Sequence, residues 1–191
     1  MSLSGLTANP CIGKVSDWVV EQGGRVIISE ITEFIGAESK VATHCVSVEV
    51  HDRMMTLLAD QRRRVKESLG PLAHLVIAPG NAEGGLSSIE EKSMGSFAKA
   101  GSTAIRQVVE YAEMPTTQGL IVMNTPGSDV FSMTGKIAAG AQILLFSTGR
   151  GSPAGSPLVP VVKIASNTRL FERMPDDMDF DAGQAMTGCS L

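Results

Sequence analysis

The sequence contains few aromatic residues and few cysteines. Phenylalanine, tyrosine and tryptophan make up 4% of the 191 residues, so the core must be built mainly from Val, Ile, Leu, Ala and Met. The three cysteines, Cys11, Cys45 and Cys189, lie far apart and form no CxxC pair. Their number and spacing indicate neither a disulfide framework nor a zinc ribbon, and they favour a reducing, cytoplasmic setting.

A long apolar run and a strongly basic region are also missing. No apolar run approaches the length of a membrane span, and the N-terminus lacks the basic-then-apolar layout of a secretory signal. The net charge is −4, and the basic residues are dispersed apart from Arg62-Arg63-Arg64 and Lys66 in a helical pattern. We therefore expect neither a membrane nor a nucleic acid as partner, and we interpret the basic cluster as a solvated helix face.

Two nucleotide-binding patterns are missing as well. The chain has no GxxxxGK[ST] loop and no GxGxxG that opens a helix. We therefore expect no NAD, and we expect no pyridoxal phosphate either. The absence of the GxxxxGK[ST] layout also weakens the hypothesis of a phosphate-binding enzyme.

The length and balance of the chain fit one domain. Hydrophobic residues make up 43% and charged residues 19% of the sequence, which suits a globular protein with a substantial core. We expect residues 1–191 to form a single α/β domain, with residues 1–3 a non-native leader. Because the chain begins almost directly in a predicted helix and stops abruptly at Thr187-Gly188-Cys189-Ser190-Leu191, we also expect it to be a fragment of a larger protein.

Hydrophobic patterning predicts a three-layer α/β fold, a Rossmann-like variant with helices on both faces of a mainly parallel sheet. The predicted strands are 25–29, 105–111, 119–124, 142–146 and 159–165, and the predicted helices are 9–23, 32–69, one starting at Ser88, and 129–139. In the first helix we expect Asn9 as N-cap and Pro10 at the first position. Strands 119–124 and 142–146 with their helix read as a parallel βαβ unit. Pro157 and Pro160 place the last strand at a sheet edge or delay its start.

Polar residues follow four of these strands at their carboxyl ends. They are Glu30, Asn124, Thr125, Thr148, Arg150, Ser166 and Asn167. A parallel sheet would gather them along one edge, which is where ligands bind in open α/β sheets.

The segment Thr148-Gly149-Arg150-Gly151 carries the strongest local signal for an anion site. The glycines let backbone N–H groups approach a ligand, and Arg150 offers a planar fork for a carboxylate or phosphate. A glycine-rich turn with a solvated or paired arginine is the alternative.

Several charged residues allow two interpretations each. Asp129 is either a helix-capping acid or a ligand to substrate. Lys163 stands inside an apolar strand, where it must reach solvent or pair with an anion, and burial there would favour a base. Glu90, Glu91 and Lys92 cannot all face one way on a helix, so a solvated helix start competes with a site role.

Two histidines raise the alternative of a metal site. His44 and His51 are seven residues apart, and Glu30, Glu33 and Glu38 precede them. The spacing matches no specific metal motif, so surface histidines are the favoured interpretation. Similarly, Met54 and Met55 at helical spacing are interpreted as core residues rather than a ligand-gripping patch.

Three segments carry a resemblance to a known family. They are GGLSSIEEKSMGSFAKAG (84–101), GLIVMNTPGSDVFSMTGKIAAGAQILLFSTGRGSPAGSPLVPVVKIASNT (119–168) and MDFDAG (178–183). With the opening Thr7-Ala8-Asn9-Pro10, these resemble the altronate/galactarate dehydratase family over nearly the whole chain. The match is to the C-terminal catalytic portion of that family.

The resemblance implies a lyase that removes water from a sugar acid to give a 2-keto-3-deoxy acid. It implies a divalent metal, with Fe(II) favoured over Mn or Mg, and a homodimer is expected. The family also includes a sulfolactate sulfo-lyase, which is the first alternative, and a non-catalytic carboxylate-binding or dimerisation module is the second. On the matched motifs, the expected catalytic residues are Lys92, Asp129 and Lys163. The expected substrate-binding residues are Asn124, Thr125, Thr148, Gly149, Arg150 and Gly151, and the expected metal ligands are Glu30 and Glu91.

Overall fold

The computed structural model describes residues 3–69 and 89–188, which form helices and short parallel strands. The α-helices are α1 (Leu3–Leu6), α2 (Ala8–Glu21), α3 (Glu38–Ala42), α4 (Val48–Leu69), α5 (Ile89–Phe97), α6 (Asp129–Ala138) and α7 (Thr168–Arg173). Short 3-10 helices span Ile31–Phe34, Ala98–Ala100 and Ala182–Thr187. Among the described residues, no helix is both long and apolar enough to cross a membrane.

The strands form two three-stranded sheets. They are β1 (Arg25–Ile28), β2 (Ile105–Val109), β3 (Gly119–Met123), β4 (Leu144–Thr148), β5 (Val161–Ala165) and β6 (Phe180–Asp181). The first sheet has the order β1-β3-β2 and the second has the order β4-β5-β6, and every pair is parallel. The predicted α/β fold with parallel strands is therefore confirmed.

The division into two sheets corrects one detail of the prediction. Strands β3 and β4 were expected to belong to one βαβ unit, but they lie in different sheets. Strand β5 lies in the middle of its sheet rather than at an edge, and it begins at Val161, directly after Pro160. The late start was the correct alternative, because a strand that begins after the proline needs no N–H from it.

Two helix predictions also need correction. The helix predicted over 32–69 is interrupted, since Gly36 has a φ of 102° and Cys45 forms a parallel bridge to Ile105. Asn9 lies inside α2 and is not its N-cap. Its buried amide instead donates to Gly95 O and its oxygen accepts from Ser147 Oγ. The predicted loop 79–88 and the Ser88 cap lie outside the described residues.

The main core packs between the first sheet and helices α4 and α5. Met54, Leu58, Ile105 and Leu120 are almost fully buried there, and aliphatic residues dominate as predicted. Met54 is a core residue, and Met55 packs against the same cluster from a partly buried position. The basic cluster is an exposed face of α4, with Arg62 paired to Glu38 and Arg63 paired to Asp60.

Candidate active site

A cavity of about 820 Å³ separates the two sheets. Its walls are the edge strands β1 and β4 together with one face each of α2 and α6. Glu30, Glu33, Ser96, Lys99, Asp129 and Lys136 are among its polar lining. A cavity of this size, mostly apolar with a few convergent polar groups, is typical of a site for a small molecule.

One face of α6 supplies a polar wall of this cavity. Asp129, Ser132, Met133 and Lys136 all line it. They are spaced by three, four and seven residues, which places them on a single side of an α-helix. The lysine lies one turn after the serine, so whatever fixes Ser132 also constrains the position of Lys136.

Ser132 is fixed by the end of β1. Its hydroxyl oxygen lies 2.7 Å from that of Ser29, which immediately precedes Glu30. The Glu30 backbone adopts a left-handed conformation, with φ 66° and ψ 59°, and its N–H donates to the buried Thr125 Oγ1 at 2.8 Å. A non-glycine residue in this region is strained and persists only when its surroundings hold it, as they do here.

Glu33 forms the centre of a second set of contacts on the same wall. Its carboxylate lies 3.6 Å from Lys92 Nζ and 3.8 Å from Lys99 Nζ, and it accepts a 3.0 Å hydrogen bond from Ser96 Oγ. Burial alone would raise the pKa of Glu33, but the two lysines and Ser96 outweigh it and lower the pKa below 4.5. Glu33 is therefore a stable anion that orders both lysines.

The pKa values of Glu30 and Lys136 move toward each other. Burial, with the charges of Glu33 and Asp129, raises the pKa of Glu30 against the opposing effect of Lys99 and Lys136. Burial and Lys99 lower the pKa of Lys136 to about 8, although Glu30 opposes this shift. A carboxyl with a raised pKa and an amine with a lowered pKa are both shifted toward the range that acid–base catalysis near neutral pH uses.

The structure brings several of the sequence-predicted residues to this wall. Glu30 and Asp129 line the cavity, Thr125 holds the Glu30 backbone, and Lys92 reaches it through Glu33. Sequence reasoning did not find Ser132, Lys99 or Lys136 as site residues. A signal existed for Lys136 in its seven-residue spacing from Asp129, which is that of a shared helix face.

The glycine-rich segment lies at the end of the second sheet. Its loop is held by its own contacts, since Gly151 N–H donates to Thr148 Oγ1 and Asn167 Nδ2 donates to Gly149 O. Arg150 is exposed, and its carbonyl accepts from Arg173. The predicted binding of a substrate carboxylate by Thr148, Gly149, Arg150 and Gly151 stays a prediction. This segment and Glu30 follow strands of different sheets, so one sheet edge does not gather them.

Two other predicted residues have partners away from the cavity lining. Lys163 is buried, donates to Ser152 O at 3.0 Å and lies 3.5 Å from Asp177 Oδ1, so it has the anionic partner that a lysine in an apolar strand requires. Asn124 accepts from Gln61 Nε2 and donates to Glu110 Oε2. The roles predicted for Lys163 and Asn124 in substrate chemistry remain predictions.

The acidic and histidine side chains are the candidate ligands for a divalent metal. Within residues 3–69 and 89–188, no group of three or more His, Cys, Asp and Glu side chains is placed to hold a metal ion. Glu30 and Glu33 share their wall with Lys99 and Lys136, and Glu91 lies half-buried on α5. His44 lies in the segment between α3 and α4, and His51 lies on α4; their Nδ1 atoms bond to Lys40 O and to Asp52 Oδ1. The described residues therefore do not fit a metal centre by themselves.

Comparison with known proteins identifies the relatives of this chain. The family model for D-galactarate/altronate dehydratase, C-terminal, matches residues 2–190. The chain belongs to this dehydratase family. The resemblance seen in the EEKS, TPGSD and TGRGSP blocks is thereby confirmed.

Curated members of the family are similar over nearly all of the chain. Altronate dehydratase from Bacillus subtilis (strain 168) is 39% identical over 94% of this chain, and that from Escherichia coli (strain K12) is 38% identical over 99%. Galactarate dehydratase (L-threo-forming) from E. coli is 38% identical over 98%. The alignments cover 36%, 38% and 36% of these relatives, so the chain spans little more than a third of their length.

Proposed function

We propose that this chain forms part of a lyase that removes water from a sugar acid of the altronate or galactarate type. The product would be a 2-keto-3-deoxy acid. The names of the three similar dehydratases support the substrate class. The observation in the structure that carries the proposal is the convergence of Glu30, Glu33, Lys99 and Lys136 on one cavity.

The reaction requires a base, an acid and a positive charge from the protein. A base must remove the weakly acidic proton from the carbon next to the carboxylate, and an acid must protonate the hydroxyl that leaves from the adjacent carbon. The C–H electron pair becomes the new double bond, the C–O bond breaks and water departs. The resulting enol then becomes the keto acid by moving its hydroxyl proton to carbon. Positive charge must also stabilise the carboxylate as it takes on enediolate character.

The cavity supplies groups of each kind. Lys99 Nζ lies 3.8 Å from a Glu33 carboxylate oxygen and Lys99 lines the cavity, where it can stabilise the substrate carboxylate. The aliphatic walls formed by β1 and β4 reduce the access of water, which strengthens this interaction. No step here passes through a metal, because the described residues do not form a metal-binding group. The expected divalent metal remains a prediction.

A second candidate is elimination of sulfite from a sulfolactate. One relative, the (2R)-sulfolactate sulfo-lyase subunit beta from Chromohalobacter salexigens, is 32% identical over 93% of this chain and 46% of its own length. The first step would be the same removal of a proton next to a carboxylate. Sulfite then leaves with the C–S electron pair and needs no proton from an acid. The leaving group therefore distinguishes the two functions.

A substrate panel tests both candidates together. The full-length protein that contains this chain is incubated without oxygen, with and without Fe(II), with aldonates, aldarates and (2R)-sulfolactate, and keto acid and sulfite are measured in parallel. We expect keto acid without sulfite from an altronate- or galactarate-type acid. Sulfite release would establish the second candidate instead. Binding of an acid by calorimetry without any product would contradict both and favour the non-catalytic module.

A further inference from the structure

We propose that Lys136 is the general base of this site and that Glu30 is its general acid, an assignment that rests on the proposed elimination. Lys136 takes the proton from the carbon next to the substrate carboxylate. Glu30 gives its proton to the departing hydroxyl, which leaves as water. Transfer of the proton from the Lys136 ammonium to the Glu30 carboxylate then restores both groups, so that the cycle balances.

The position of the two groups is built into the fold. Glu30 follows β1 and Lys136 lies on α6, and both line the same cavity. The Ser29–Ser132 hydrogen bond joins the residue before Glu30 to the residue one turn before Lys136. The Thr125 hydroxyl accepts from the Glu30 N–H and holds its strained backbone. The acid and the base therefore come from different elements but are held at one place.

The bonding of the lysines singles out Lys136. Lys92 and Lys99 lie within 4 Å of Glu33, and Lys163 lies within 4 Å of Asp177. In the described part of the chain, Lys136 Nζ has no comparable carboxylate partner or hydrogen bond. An amine that is not bound to a carboxylate is free to accept a proton from substrate.

The surrounding charges support the direction of proton transfer. Four other charged residues line the cavity with Lys136. Glu30 follows β1, and Asp129 lies on the same helix as Lys136. Glu33 and Lys99 lie on the neighbouring 3-10 segments. Burial and Lys99 lower the pKa of Lys136 to about 8 although Glu30 raises it, so about one-tenth of the amine is neutral at pH 7.

Isotope exchange separates the two roles. Wild-type protein and the variants Lys136→Met, Lys136→Arg and Glu30→Gln are incubated with substrate in D₂O, with Lys14→Met on the exposed side of α2 as the control. We expect both Lys136 variants to lose at least about 100-fold in turnover and in exchange of the C2 proton. Glu30→Gln should lose elimination of water but retain that exchange. Lys14→Met should match wild type, and circular dichroism should show that every variant is folded.

The ionisation of Lys136 is measured without turnover. Competitive labelling of Lys136 and Lys14 from pH 6 to 11, read by mass spectrometry, should give Lys136 a midpoint near 8, well below the ordinary value of a lysine. If wild-type protein turns over substrate and the Lys136 variants also remain active, this assignment is overturned and the proposed function stays in place. So would labelling of Lys136 at the same pH as Lys14. A folded wild type that turns over no acid would instead overturn the proposed function, and this assignment with it.

Discussion

The hydroxyl oxygens of Ser29 and Ser132 lie 2.7 Å apart and join the end of β1 to the cavity face of α6. Ser132 is buried, and its bond to Ser29 links the residue before Glu30 to the residue one turn before Lys136. This hydrogen bond thus contributes, with the Thr125 contact to the Glu30 N–H, to the relative positions of Glu30 and Lys136.

Removal of this hydrogen bond should reduce turnover more than substrate binding. We expect Ser132→Ala to lower kcat by about tenfold with little change in KM, since misplacing a catalytic group weakens the transition state in particular. The free energy of unfolding should fall by about 1 kcal/mol. Steady-state kinetics and urea denaturation check both values.

A double-mutant cycle gives the control for this prediction. Ser29→Ala combined with Ser132→Ala should cost less than the sum of the two single changes, because both remove the same bond. Ser128→Ala, just before α6 and without a side-chain cap bond, should leave kcat unchanged. Additive effects of the two serines would show that they act independently.

Lys136 should lower the free energy of unfolding at neutral pH, although it supports turnover. Its pKa is about 8 in the folded protein against 10.5 normally, so between these pH values the unfolded chain binds more protons and stability rises with pH. At pH 7 the buried ammonium costs stability, and Lys136→Met should raise the free energy of unfolding by about 1–3 kcal/mol. Urea denaturation at pH 7, 9 and 10.5 measures the effect.

The pH dependence of stability should differ between the wild-type protein and Lys136→Met. Wild-type protein should gain stability from pH 8 toward pH 10.5, whereas Lys136→Met should show a flatter curve in that range. Lys14→Met serves as the matched exposed lysine and should leave the wild-type slope in place. A Lys136→Met protein that is less stable at pH 7 would mean that the amine is stabilised by the fold.

Glu33 should contribute stability that acid removes. Its pKa is lowered in the folded protein, so its contribution is fully present above about pH 4.5 and is lost as the pH falls through the folded value. Glu33→Gln should cost about 1–3 kcal/mol at pH 7, because Lys92 and Lys99 lose their shared anion. Denaturation from pH 7 to pH 3 tests this.

The effect should be specific to the paired carboxyl. Glu49→Gln, on the exposed side of α4, should change neither the stability at pH 7 nor its dependence on acid. Equal losses for both variants would indicate a general effect of net charge.

Lys163 tests whether the end of the second sheet takes part in catalysis. Its Nζ contacts Ser152 O and Asp177, so we expect Lys163→Met to lower the free energy of unfolding by about 1–3 kcal/mol. Turnover should stay within about threefold of wild type, since Lys163 does not line the cavity. Thermal melts and kinetics below the melting transition measure the two effects separately. A folded variant that loses turnover 100-fold would instead support the catalytic role predicted from the sequence.

Much of the secondary structure could be predicted because its signals are local. The apolar runs at 119–123 and 161–165 are strands within a few residues of the predicted bounds. The helix after Pro126-Gly127-Ser128 begins at Asp129 as expected. The prediction over 32–69 failed where a tertiary contact prevailed, since the bridge from Cys45 to Ile105 draws the chain out of helical geometry.

The sequence by itself determined the class of fold, the approximate strands and the family, because these depend on hydrophobic periodicity and on contiguous motifs. Only the tertiary structure decided that the strands divide into two sheets and that a cavity lies between β1 and β4. Strand pairing and burial arise from contacts between distant segments, and local patterning does not specify which segments meet. Glu30 and Lys136 are more than a hundred residues apart, so the chemistry of their shared wall exists only once the chain has folded.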